Sequence, residues 1–163
     1  MKTYKYALLP KLMYRYATVP ISLILLSYFF ISISQITSDW YYIIVAIVNV
    51  VILFYINKFY LNVYKLLPFV VTLDKEGITA SNFMFGKNVI VLKYEDIDRI
   101  TGGVFGYNPK GLIYIHESKN GNMISIHPAM EDANNFFKFV LDNIHSGLRD
   151  ELVAKLKRNE LKR

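Results

Sequence analysis

Three groups of residues could do chemistry, through side chains or through backbone N–H groups. His116 and His127 sit in a stretch that reads as a β-hairpin, in a register that puts both imidazoles on one exposed face, at diagonal positions about 7–8 Å apart at the backbone. Two imidazoles can begin a metal site, but a zinc centre takes at least three protein ligands, and no spacing in the chain supplies a third. The plain reading is two surface histidines. Thr101-Gly102-Gly103-Val104-Phe105-Gly106 has the glycine content of a phosphate-cradling loop, yet it lacks the Lys-Ser/Thr of a P-loop, and no dinucleotide fingerprint opens a helix after it. These glycines read as a kink or a flexible loop. Glu95, Asp96 and Asp98 lack the spacing of an EF-hand and read as a solvated bend. His145 falls near a helix C-terminus, where a cation is mildly favoured. The chain has no cysteine, which excludes disulfides, thiolate metal sites and a cysteine nucleophile. With no Ser-His-Asp arrangement, nucleophile elbow or HExxH either, the expectation is a protein that is not an enzyme and carries no metal and no cofactor.

The elements that must position anything else begin with two uncharged runs. Residues 16–38 hold no Asp, Glu, Lys or Arg over about 33 Å if helical, and residues 40–58 are free of charge up to Lys58, about 26 Å, on either side of the polar knot Thr37-Ser38-Asp39. They predict a transmembrane helical hairpin. Small residues at Ser32-Ile33-Ser34 resemble a signal-peptidase site, but the apolar run is longer than a signal core and a second span follows at once. Asn49 lies near the middle of the second run, where an amide facing lipid is costly, so it is expected to meet the first helix or another copy of the chain, which would make a homo-oligomer. No ionisable group lies at midspan, which favours an anchor over a transport path.

The net charge of +6 could suggest nucleic acid, but its distribution argues otherwise. Lys2, Lys5, Lys11, Arg15, Lys58 and Lys65 oppose Asp39 alone in residues 1–65, while residues 66–163 are nearly balanced, with 13 basic and 12 acidic side chains. The excess flanks the hairpin's open ends, where Lys11, Arg15, Lys58 and Lys65 are candidates for contact with anionic headgroups or a partner. The positive-inside rule then places both termini in the cytoplasm. Residues 1–15 are expected to lie at headgroup level or to form a disordered lead-in.

After Lys65 the pattern shortens to alternating strands. Phe69 to Leu73, Ile78 to Phe83 and Asn88 to Lys93 read as strands, with turns at Asp74 to Gly77 and Phe85-Gly86-Lys87. Tyr94 to Ile100 reads as either strand or helical turn. Asn120-Gly121 suits a two-residue type I′ turn, which would pair Lys119 with Asn122, Glu117 with Ile124 and Ile115 with Ile126. That puts Ile113, Ile115, Ile124 and Ile126 toward a core, and Tyr114, His116, Ser125 and His127 on the other face. Pro128 is expected to open a helix with Glu131 and Asp132 in its first turn and an apolar stripe of Ala133, Phe136, Phe137, Val140, Leu141 and Ile144. Gly147 ends it. Residues 147–163 form a basic amphipathic tail helix, on the membrane surface or as a coiled-coil arm, with Lys155, Lys157 and Arg158 as further contact candidates.

About seven strand-like segments followed by an amphipathic helix resemble the pleckstrin-homology superfold, a bent antiparallel barrel closed at one end by a helix. The order of parts is similar to that of bacterial PH-like membrane proteins: a two-span hairpin, then Val71-Thr72-Leu73-Asp74-Lys75-Glu76-Gly77-Ile78, then Val89 to Lys93 running into the Glu95-Asp96-Ile97 bend. The resemblance covers roughly Pro10 to Ile144 and implies a membrane-anchored α+β protein with a PH-like domain over residues 66–145. The expected role is a non-enzymatic interaction or scaffold protein of the inner membrane that binds a protein partner, with the Gly102 to Gly111 loop as a contact surface. The alternatives are a sensor of anionic lipid and, more remotely, a membrane-bound enzyme.

Overall fold

The computed structural model describes residues 1–85, 89–106 and 108–160. The expected turn residues Gly86 and Lys87 and the tail cations Lys162 and Arg163 lie outside them. The chain divides into two compact units, residues 12–64 and residues 1–11 with 65–163.

The first unit holds the two uncharged runs. Strand β1 (Lys2–Lys5) and helix α1 (Leu8–Tyr16) precede helix α2 (Thr18–Gln35), and helix α3 (Tyr42–Leu66) follows. Helix α2 has 18 residues and α3 has 25, about 27 Å and 37 Å long. Both are long and apolar enough to cross a membrane, and little of either is buried. Leu23, Ile24, Phe30, Ile47, Val48 and Phe54 all face outward. The second helix outruns the expected span by two turns, carrying Lys58 and Lys65 on the same continuous helix, because no glycine or proline interrupts residues 42–66. Among the few buried positions are the small residues Ser32 on α2 and Ala46 on α3, equally far in sequence from the turn at Asp39 and so at matching levels of an antiparallel pair, where small side chains allow close approach.

The second unit is α+β. Strands β1, β2 (Val70–Leu73), β3 (Gly77–Ser81) and β4 (Val89–Lys93) form a four-stranded antiparallel sheet in that order. Strands β5 (Ile97–Gly102), β6 (Ile113–Glu117) and β7 (Asn122–Ile126) form a three-stranded one, and helices α4 (Ala133–Asn143) and α5 (Ser146–Glu160) follow. Inward residues Val71, Leu73, Ile78, Leu92, Ile100 and the four isoleucines of β6 and β7 are buried with Phe136 and Val140 of α4. Tyr94–Asp96 is a short 3-10 turn and Ile97 onward is strand, so both readings of that segment hold in part.

The N-terminal lead-in is a strand. Lys2, Thr3, Tyr4 and Lys5 face Leu73, Thr72, Val71 and Val70, so residues 2–5 belong to the sheet. Tyr4 is buried and its ring meets that of Phe136 edge-on at 5.3 Å. The same strand delays the next helix. Tyr6 bridges Met130, the Glu131 amide donates to the Lys5 carbonyl at 3.0 Å, and the His127 amide donates to the Tyr6 hydroxyl at 2.9 Å. Residues 127–131 therefore edge the sheet, and α4 starts at Ala133 after Asp132 in a left-handed conformation, φ 56°, where Lys2 pairs with its carboxylate at 2.7 Å.

The β6–β7 hairpin keeps its expected core face but in a register two residues shifted: Glu117 faces Asn122, Ile115 faces Ile124 and Ile113 faces Ile126. A shift of two preserves which side chains point inward. The turn is a four-residue loop, closed by the Gly121 amide on the Ser118 carbonyl at 3.3 Å, with Gly121 at φ 63°. Side chains select it. The buried Glu117 carboxylate accepts from the amides of Asn120 at 2.6 Å and Asn122 at 2.9 Å. Lys119 reaches Asp96 at 3.1 Å and the Ser118 hydroxyl donates to Asp98. The acidic bend thus has a structural duty.

Candidate functional site

The glycines of the 101–106 loop make a kink that a helix then covers. Gly102 has φ 77° and Gly103 φ 50°, and a β-carbon on Gly103 would lie 2.2 Å from Cγ1 of Ile113. Both positions need glycine, since a side chain disfavours positive φ and no space is left for one. They end β5 and turn the chain into a 3-10 segment, Gly103–Phe105, pressed on β6. Helix α5 lies on this turn. Leu152 is fully buried, and the Asn159 amide donates to the carbonyls of Val104 and Gly106, each at 3.2 Å. The tail is therefore docked on the β-rich unit rather than forming a separate arm, because Leu148, Leu152 and Leu156 repeat at four-residue spacing and find an apolar surface within their own domain.

Between α4, α5 and the Gly103–Phe105 turn is a cavity of about 450 Å³. Val104, Phe105, Phe137, Leu141, Val153 and Leu156 supply its apolar lining, and Asn134, Lys138, Asp142 and Arg149 add polar groups. Lys138, Asp142 and Arg149 are exposed. An apolar cleft with a few charged groups at its margin is the usual form of a binding site. A second hollow of about 610 Å³ lies by Lys75, Glu76, Lys93, Glu95, Asn143 and His145. Its charges are mixed, which favours no ligand of one sign. Tyr94 lies beside it with its phenol pushed above the ordinary range by burial, its hydroxyl 3.4 Å from the Asp74 carbonyl.

The histidines are not brought together. His116 faces Met123, and His127 lies four residues past Met123, about 13 Å along the strand. The two-residue shift in register, set by the longer loop, separates them. His116 Nε2 lies 3.4 Å from the Thr101 hydroxyl, and His127 Nδ1 accepts from the Ala129 amide at 3.0 Å. Burial lowers the pKa of both imidazoles, with Arg99 adding to the effect at His116. Among the described residues, no group of three or more His, Asp or Glu side chains is placed to hold a metal ion.

The basic candidates lie on three helices. Arg15 on α1 lies 5.8 Å from the Tyr16 ring centroid, and Lys58 Nζ on α3 lies 5.9 Å from that of Phe54. Lys11 is on α1 and Lys65 ends α3. On α5, Lys155 pairs with Glu151 at 2.6 Å, while Lys157 and Arg158 are exposed in the last turn. Asn49 donates to the Val45 carbonyl of its own helix at 3.0 Å. A polar link between α2 and α3 comes instead from Asn57, whose amide donates to the Ser22 hydroxyl at 3.2 Å. The apolar cavity is not among the sequence expectations; the paired glycines at 102–103, which make the turn, and the leucine spacing at 148–156, which seats α5 on it, are the only local signals of its walls.

Protein-family models, curated proteins and solved structures were all compared with the chain, and none matches.

Proposed function

We propose that this chain is an integral protein of the inner membrane, anchored by α2 and α3, whose β-rich unit is a PH-like, non-enzymatic interaction module on the cytoplasmic side with its recognition site at the α4–α5 cavity. The observation that carries the anchor is the outward apolar surface of both helices, unbroken by charge from Tyr16 to Ser38 and from Trp40 to Asn57. In water that surface would cost about 25 cal/mol for each Å² left uncovered. Lys11, Arg15, Lys58 and Lys65 against Asp39 favour cytoplasmic termini. Four plus three antiparallel strands followed by a helix that buries Phe136 and Val140 support the PH-like reading.

The test has two arms. Membranes carrying the full chain are washed with alkaline carbonate, and a tag at Arg163 is probed with protease from each side. Retention with access only from the cytoplasm supports the reading; release into the wash ends it. In the second arm, a photoreactive side chain in place of Val153 asks whether the cavity contacts another molecule in native membranes. Anionic-lipid sensing is a second reading, favoured by exposed Lys157 and Arg158. It expects vesicle binding that rises with phosphatidylglycerol content and falls in K157E/R158E.

A further inference from the structure

Resting on the reading of the α4–α5 cavity as a recognition site, we propose that its occupant is a single-chain amphiphile with an anionic head, of the fatty-acid class. The acyl chain lies on the apolar lining between α4 and α5, and the head meets Lys138 and Arg149.

Volume decides first. The cavity holds about 450 Å³. It falls within the range of about 300–1,000 Å³ typical of small-ligand sites. The lining decides next. An extended peptide would bring amide and carbonyl groups that need partners once out of water. Phe105, Phe137, Leu141, Val153 and Leu156 offer none from their side chains. A hydrocarbon chain makes no such demand. Charge sets the head. Lys138 has no ion pair among the described residues, and Arg149 has a 3.7 Å contact through Nε with its exposed neighbour Asp150. Against these, Asp142 is the acidic residue of the lining, which leaves one net positive charge. One charge suits a carboxylate. Two outward apolar helices on the same chain put the site on a protein suited to a lipid source.

The experiment uses the full chain in nanodiscs of phosphatidylcholine, with diazirine-bearing palmitate as the probe and peptide mapping as the readout. Adducts are expected on α4 and α5, and unlabelled palmitate should compete for them while lysophosphatidylcholine, which lacks a net charge, competes less well. V153W, which fills the cavity, should reduce those adducts about tenfold, and K138E/R149E by a similar factor. L141W provides a second cavity-filling variant, and melting temperature shows which variants remain folded. Adducts confined to α2 and α3, or adducts on α4 and α5 that neither filled variant reduces, would overturn the proposal. Benzoylphenylalanine in place of Val153 separates the two levels of the argument in native membranes. Capture of a protein that palmitate does not displace overturns the amphiphile but leaves an interaction module. Capture of neither lipid nor protein overturns both.

Discussion

Tyr4 lies opposite Val71 across the β1–β2 ladder, both side chains buried, although both long helices intervene between them in sequence. The hairpin is therefore an insertion into the sheet rather than a leader placed before it. The β-rich unit is completed by residues from either side of the helices, and its chain is tied to them at two points. The apolar cavity is built on that same unit, through Phe136 and Phe137, neighbours on α4, the first meeting Tyr4 and the second lining the cavity.

Tyr4→Ala should destabilise the β-rich unit by about 3–5 kcal/mol, the range for truncating a buried aromatic side chain. It removes the edge-on contact with Phe136 and leaves a cavity beneath β1. Thr3→Ala on the outer face, which loses the 3.3 Å hydroxyl contact with Thr72, should cost under about 1 kcal/mol. Denaturant titration of the full chain, following the β-sheet signal, checks both. Equal effects from the two variants would mean that residues 2–5 do not complete the sheet.

Gly103→Ala should cost about 2–4 kcal/mol, combining a non-glycine residue at φ 50° with a clash on Ile113. Gly121→Ala is the matched control. It has φ 63° but nothing within 4 Å of a new β-carbon, so only the conformational cost of about 1 kcal/mol applies. Because Gly103 sets the turn on which α5 rests, its substitution should also loosen α5, seen as faster amide exchange over residues 148–158. If both variants lose the same stability, the close packing of β5 on β6 is not the reason for glycine at 103.

How much of this was legible depended on the range of the interaction that fixes each element. The two long helices could be read because absence of charge over some twenty residues is a property of the segment alone. So could the isoleucine face of β6 and β7, since alternation survives a register shift of two. Residues 2–5 could not, because Lys-Thr-Tyr-Lys has little pattern and its partner strand lies beyond both helices. The hairpin loop departs from its local signal for a related reason. Asn120-Gly121 favours a two-residue turn locally, but Glu117 gathers both neighbouring asparagines, and Asp96 and Asp98 hold Lys119 and Ser118. The leucine spacing on α5 shows an apolar face but not what it docks on, which depends also on Asn159 finding two carbonyls freed by the kink at Gly102 and Gly103.

Acid should weaken the fold before its carboxylates titrate. Burial holds the imidazoles of His116 and His127 below the ordinary value of 6.5, with Arg99 opposing the charge on His116 and Asp98 favouring it. Below that value the unfolded chain takes up protons that the folded one resists, so stability present above pH 6.5 is lost as pH falls toward the depressed values. The acids act in the same direction but in a lower pH window. Hydrogen bonds from Ser118 and Lys2 hold Asp98 and Asp132 below 3.8, so their contribution persists until pH drops below about 4. The melting temperature of the full chain should fall between pH 7.5 and 5, and H116Q/H127Q should flatten that slope. His127→Gln should also lower the melting temperature at both pH values, since it loses the bond from the Ala129 amide. An unchanged slope in the double variant would assign the acid response to other groups.

Within the helical pair, Asn57 and Asn49 should behave differently despite their shared chemistry. Each bonds a carbonyl one turn earlier on its own helix, Leu53 for Asn57 and Val45 for Asn49, but Asn57 also donates to Ser22 on the facing helix. Hydrogen bonds between helices in a membrane contribute about 0.6 kcal/mol on average, and rarely more than about 1.7. Asn57→Ala should therefore weaken association of α2 with α3 by about that amount, and Ser22→Ala should do the same. The double variant should cost no more than either alone, because one bond is lost in all three. Asn49→Ala should leave the pair unchanged. Reversible unfolding of the full chain in bicelles by steric trapping, with tags at the hairpin's two ends, measures these differences. Additive losses at 22 and 57 would show that the two side chains act separately, and a large loss at 49 would reassign the polar contact to the middle of the second helix.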